Sequence, residues 1–94
     1  MKIHPRYFLP PLVLARMPKL PKLSGKEFIR YLELFGFVVI RQKGSHIILK
    51  RKTLAGDVGC VVPDHKELAD GTMRGILKQA KLSVEEFIEK HHEK

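Results

Sequence analysis

The sequence is short of sulfur, short of acids and free of long apolar runs. Its one cysteine, Cys60, cannot form an internal disulfide, and no Cys/His spacing of the zinc-finger kind occurs. Such a composition fits a reducing cytoplasm. No stretch approaches the roughly 18 consecutive apolar residues of a membrane-spanning helix, so a soluble protein is expected. With 94 residues there is no room for a second core, which would need roughly another 100. Proline is almost missing beyond Lys22, where only Pro63 remains of the six.

What is present supports one modest core. Apolar residues make up 44% of the chain and charged residues 30%, a globular balance that excludes wholesale disorder. The other five prolines, Pro5, Pro10, Pro11, Pro18 and Pro21, crowd the start and block both helix continuation and central-strand pairing. Residues 1–22 are therefore expected to form a flexible or extended tail, and residues 23–94 a single domain. Tyr7 to Ala15 has the apolar look of a secretory signal, but Pro10 and Pro11 interrupt it and no small-x-small cleavage pattern follows. Met17 opens the phrase Met17-Pro18-Lys19-Leu20-Pro21-Lys22-Leu23-Ser24 and reads as an alternative start, with residues 1–16 an upstream extension.

From Ser24 the elements follow in order. Ser24-Gly25-Lys26-Glu27 is a capping box with Leu23 and Phe28 placed as its hydrophobic staple. Phe28, Leu32 and Phe35 then recur at helical spacing up to Gly36, which predicts a helix over 25–35. Phe37 to Lys43 and Ser45 to Lys52 are β-rich runs hinged at Gly44, a spacing that allows only an antiparallel hairpin. Leu54-Ala55-Gly56-Asp57 reads as a second turn, and Val58 to Val62 as a third strand ended by Pro63. Met73, Ile76, Leu77 and Ala80 repeat at helical spacing, and Ser83-Val84-Glu85-Glu86 is a second capping box with Leu82 and Phe87 as its staple. The order is α-β-β-β-α plus a short C-terminal helix. It predicts an α+β two-layer sandwich with helices on one face of a three-stranded meander and the other face partly open.

Eighteen Lys and Arg against ten Asp and Glu give a formal charge of +8, a field that attracts polyanions. Without Lys2, Arg6 and Arg16 the charge is still +5. It is focused on the hairpin, where Arg41, Lys43, Lys50, Arg51 and Lys52 stand with no acid between them. Lysines on a sheet edge also guard against strand-to-strand aggregation, but five cations beside a histidine point to phosphate binding. That histidine is His46, just after the Gly44 turn. If Ile47 and Leu49 face the core, alternation turns His46 and Lys50 to the open face. Histidine titrates near neutral pH and can take the proton of a ribose 2′-hydroxyl, while nearby Lys or Arg stabilises the phosphoryl charge. A second group would protonate the departing 5′ oxygen, and His65, Lys43 and Lys50 are the candidates. Asp64, Glu67 and Asp70 with His65 read as solvated charges and caps rather than a metal site. Cys60, between apolar neighbours, reads as a small core hydrophobe, and His91 and His92 as tail residues.

Several segments resemble a known family. Gly36-Phe37, Arg41-Gln42-Lys43-Gly44-Ser45-His46, Val61-Val62-Pro63-Asp64-His65, Gly71-Thr72-Met73-Arg74-Gly75-Ile76-Leu77-Lys78-Gln79-Ala80 and Leu82-Ser83 are together similar to the HicA (YcfA-like) mRNA interferase toxins. The similarity runs from about Pro18 to Ile88. It implies the toxin of a type II toxin–antitoxin pair with a double-stranded-RNA-binding-domain-like fold, cleaving mRNA independently of the ribosome; the histidine chemistry read above needs no metal or other cofactor. It assigns the catalytic histidine to His46; with the cation pattern read above, Arg41, Lys43, Gly44, Ser45 and Lys50 are expected to bind RNA, with His65 in a supporting role. The partner it implies is a HicB-type antitoxin that covers the site. Ile47 stands where many members carry a second histidine, and Lys81 where a glycine is usual. The competing readings are a non-catalytic double-stranded-RNA-binding module and a basic protein that only docks an acidic partner. The RNA-binding module usually carries a lysine cluster at the start of its last helix, where this chain has Gly71-Thr72-Met73-Arg74.

Overall fold

A computed structural model describes residues 19–93, with helix α1 (Gly25–Leu34), strands β1 (Val38–Lys43), β2 (His46–Thr53) and β3 (Gly56–Pro63), and helices α2 (Asp70–Gln79) and α3 (Val84–Glu93). The proline-rich segment up to Pro18, with Met17 and the possible upstream extension, lies outside the described residues. Leu20, within the expected tail, is buried beside Leu23 in the core cluster.

Local chemistry sets the helix starts. Ser24 Oγ accepts from the Glu27 amide at 3.0 Å, and Glu27 Oε1 accepts from the Ser24 amide at 2.8 Å. The same reciprocal pair recurs at the head of α3, where Ser83 and Glu86 meet at 3.0 and 2.7 Å. Each cap satisfies amide donors that a helix start leaves unpaired, an effect worth about 1 kcal/mol. Both staples are seated, since Leu23, Phe28, Leu82 and Phe87 are all buried. Helix α1 ends one residue earlier than its periodicity suggests, because Phe35 is already its C-cap and Gly36 takes φ +95°.

The three strands form an antiparallel sheet in the order β1-β2-β3. Two-residue turns join them. Gly44, at φ +61°, occupies the first central position of the β1–β2 turn, where a type II′ hairpin requires glycine. Thr53 closes the second turn by donating its hydroxyl to the Gly56 carbonyl at 2.6 Å.

One face of the sheet packs on the helices. Ile47, Leu49, Val58, Cys60 and Val62 alternate inward and are buried against Phe28, Leu32, Met73, Leu77 and Phe87. Helix α3 is as long as the other two and closes the layer through Phe87, whose ring lies 4.9 Å from Phe28 and 5.5 Å from Tyr31. The opposite face carries no helix, giving the helix–meander–helix sandwich that the sequence order predicts. Lys81 ends α2 in the left-handed conformation, φ 60°. This is the place where the resembled family usually has glycine.

Candidate functional site

The site is assembled on the open face, and strand alternation does most of the work. On β2, Ile47 and Leu49 are buried while His46 and Lys50 are exposed. Residues directly opposite in an antiparallel ladder share a face, so the register Lys43↔His46, Arg41↔Ile48 and Val38↔Lys50 places Arg41 and Lys43 beside His46 and Lys50. Lys43 is the direct neighbour of His46 across the turn. Cβ atoms of such pairs lie about 5 Å apart.

Arg41 reaches this face because β1 carries a bulge. The register shifts between Val39 and Arg41, leaving Ile40 as an extra residue. In a regular ladder continued from Val39, which pairs with Leu49 on the core side, Arg41 and Lys43 would point toward the helices. The bulge absorbs one residue and returns both to the open side.

Arg51, the fifth hairpin cation, is not part of this group. It pairs with Val58 on the core side, where its guanidinium sits 5.0 Å above the Phe37 ring and donates from Nη1 to the Phe35 carbonyl at 3.2 Å. Arg51 therefore closes the end of α1, and the open face keeps Arg41, Lys43, Lys50 and Lys52.

The turn bearing His46 is held by neighbours that sequence reasoning did not assign to the site. Gln42 Nε2 donates to the Gly44 carbonyl at 2.9 Å and to Asp64 Oδ2 at 3.4 Å. The Asp64 amide donates to the Ser45 carbonyl at 2.6 Å, continuing the β2–β3 ladder one step past the His46↔Pro63 pair. Gly44 and Ser45 thus contribute backbone atoms to a latch that fixes the hairpin tip. His65 is exposed, and its carbonyl accepts from the Gly25 amide at 2.9 Å. Among the described residues, hydrogen bonds tie Gln42 and Asp64 to the turn, and none joins it to the His65 ring.

The remaining ionisable candidates are occupied differently. Among the described residues no three His, Cys, Asp or Glu side chains converge as metal ligands would. Asp70 holds Arg74 in an ion pair at 2.6 Å across one turn of α2. Cys60 is buried on the core side, and loss of solvation pushes its thiol up to about 11, so the thiolate is scarce at neutral pH. The His91 ring lies 5.1 Å from Tyr31, against the back of the helical layer.

The family model for the HicA toxin of bacterial toxin–antitoxin matches residues 25–82, well over half of the chain. The chain belongs to the HicA toxin family. The matched span runs from the first helix through β3 and α2 to Leu82 and so contains the whole hairpin with His46. The protein is accordingly the toxin-type member of a toxin–antitoxin system, with an antitoxin as the kind of partner that membership entails. No curated protein matches the chain in a sequence comparison. No helix among the described residues of this HicA-family chain is long and apolar enough to cross a membrane.

Proposed function

We propose that this HicA-family toxin is a cytoplasmic endoribonuclease that cuts mRNA with His46 as the general base and without a metal. The observation that carries the reading is the shared open face: an exposed histidine at a latched turn, with Lys43 directly opposite and Arg41 and Lys50 on the same side. The cations hold the phosphodiester and stabilise charge on its oxygens. His46 removes the proton of the 2′-hydroxyl, O2′ forms a bond to phosphorus, and the bond from phosphorus to O5′ breaks. The products are a 2′,3′-cyclic phosphate and a 5′-hydroxyl end. Lys43, the side chain across from His46, is the best placed donor for the departing oxygen. His65 has a weaker claim to that role, because hydrogen bonding ties its backbone to α1 and leaves the hairpin latch to Gln42 and Asp64.

The partner is a HicB-type antitoxin, which inhibits by covering the cations that would otherwise hold RNA. Non-catalytic binding of double-stranded RNA is less well supported, since Arg74, the only cation in the first half of α2, is engaged by Asp70.

The reading is tested by induced expression of wild type against His46→Ala, following growth and transcript integrity together. The wild type is expected to arrest growth and degrade transcripts, with the purified protein cutting single-stranded RNA in EDTA and leaving 5′-hydroxyl ends. A folded His46→Ala variant as toxic as the wild type, or an absolute need for added divalent metal, would overturn the mechanism.

A further inference from the structure

The open face continues past the cations nearest His46, and of the residues assigned to phosphate binding only Lys50 reaches this far half. At the end remote from the hairpin tip, a depression of about 530 Å³ is lined by Gly36, Val38, Ile40, Lys50, Lys52 and Asp57. Val38 and Ile40 give it a large aliphatic surface, beside Lys50, Lys52 and Asp57. Val38 is 60% exposed and Ile40 53% exposed, although both sit on an ordered strand. The aliphatic side chains offer nothing to a polyanion. The charge pattern also differs from that at the tip, because Lys52 lies directly opposite the carboxylate of Asp57, whereas Lys50 has Val38 and Gly59 as its cross-strand neighbours. The depression therefore presents an apolar seat with one cation, Lys50, that has no acid opposite it. Lys50 and Lys52 stand four and six residues from His46 along β2, or about 13 and 20 Å.

We propose that this depression anchors the antitoxin, through a bulky aliphatic or aromatic side chain with an Asp or Glu beside it that reaches Lys50. The proposal rests on the toxin–antitoxin reading above and adds to it the surface and chemistry of the contact. Exposed apolar side chains beside unneutralised positive charge match an apolar anchor flanked by carboxylate, and a protein seated there lies over Lys50 and extends toward His46. The contact is made by side chains entering the depression. Simple strand addition to β1 is disfavoured, because the bulge at Ile40 breaks the regular edge. Anchoring and catalysis thus share Lys50 but otherwise occupy two ends of one face, so changes at Val38 and Ile40 separate them.

The experiment uses the full chain and its cognate HicB-type antitoxin, with affinity measured by titration calorimetry and RNA cleavage measured on the same preparations. Ile40→Asp is expected to weaken antitoxin binding by at least about 30-fold, as loss of a central apolar anchor does, with kcat and KM for RNA within about twofold of wild type. Val38→Thr keeps the branched shape and strand preference, and is expected to weaken binding by about fivefold; it provides the same test if Ile40→Asp does not fold. Unchanged antitoxin affinity in folded variants overturns the anchor. A raised KM for RNA with unchanged antitoxin affinity also overturns it, and makes the depression a seat for a nucleobase. If wild type neither cuts RNA nor binds the antitoxin, the functional reading itself fails, a result distinct from either.

Discussion

Replacing Gly25 by alanine sets two effects of opposite sign against each other. Gly25 is the first residue of α1, buried where the helix meets the end of β3. Helix propensity favours alanine over glycine by up to about 1 kcal/mol. Packing opposes it, because a Cβ at this position would lie 2.0 Å from the Pro63 carbonyl oxygen, 3.1 Å from its carbon and 3.2 Å from Asp64 Cα. All three are backbone atoms, so no side chain can swing away. Relief requires a shift of more than about 1 Å in the segment that pairs with His46 and Ser45, since close-packed interiors leave no slack. Overpacking of this kind costs about 1–3 kcal/mol and occasionally more. With the backbone on both sides fixed by the Gly25-to-His65 hydrogen bond at 2.9 Å, the upper end applies. The net loss is then about 2 kcal/mol, which for a domain of this size lowers Tm by roughly 8–16 °C. Gly75→Ala is the matched control. Nothing lies within 4 Å of a Cβ there and the residue is exposed in mid-helix, so this change is expected to stabilise by about 1 kcal/mol. Circular-dichroism melts and urea titrations of both variants decide the matter. A Gly25→Ala protein melting within about 2 °C of wild type would refute the packing argument.

Two further changes test the cap of α2 and the buried thiol. Lys81 pays for a left-handed backbone at φ 60°, so Lys81→Gly is expected to raise stability by about 1 kcal/mol in urea titration; a loss would show that the lysine side chain contributes more than its backbone strain costs. Burial raises the Cys60 thiol from 9.0 to about 11, so the folded state favours the protonated form. Its contribution is complete below pH 9 and is lost as pH rises through 11, which narrows the stability gap between wild type and Cys60→Ala by roughly 2 kcal/mol at pH 11; a gap constant from pH 8 to 11 would count against this.

The parts of the fold legible in the sequence are those specified within a few residues. Ser24 with Glu27 and Ser83 with Glu86 announce both capped helices because each box closes over three residues. Ile47 and Leu49 settle the faces of β2, and so the exposure of His46 and Lys50, because alternation is a local property. Features that depend on distant partners were not legible. Val38-Val39-Ile40 is an unbroken apolar run, so nothing in it marks Ile40 as the extra residue, and the bulge appears only once β2 supplies the register. Arg51 reads like its cationic neighbours until Phe37 and the Phe35 carbonyl come into place beneath it. The hydrogen bond from Gln42 to Asp64 spans 22 residues, and no spacing within either segment signals it. The candidate site was therefore readable as a list of side chains at a turn, but its division into a cationic tip and an apolar far end was not.

The bulge has a consequence for how such a protein can change over generations. Excising residue 40 would leave a regular ladder in which Val39 still meets Leu49 and Arg41 still meets Ile48, so the row of cations would survive while the apolar seat lost a wall. If the proposed anchor holds its antitoxin, a single-codon deletion would release the toxin from one partner while keeping the row of cations, and a new pairing could evolve through strand length as readily as through exchange of side chains.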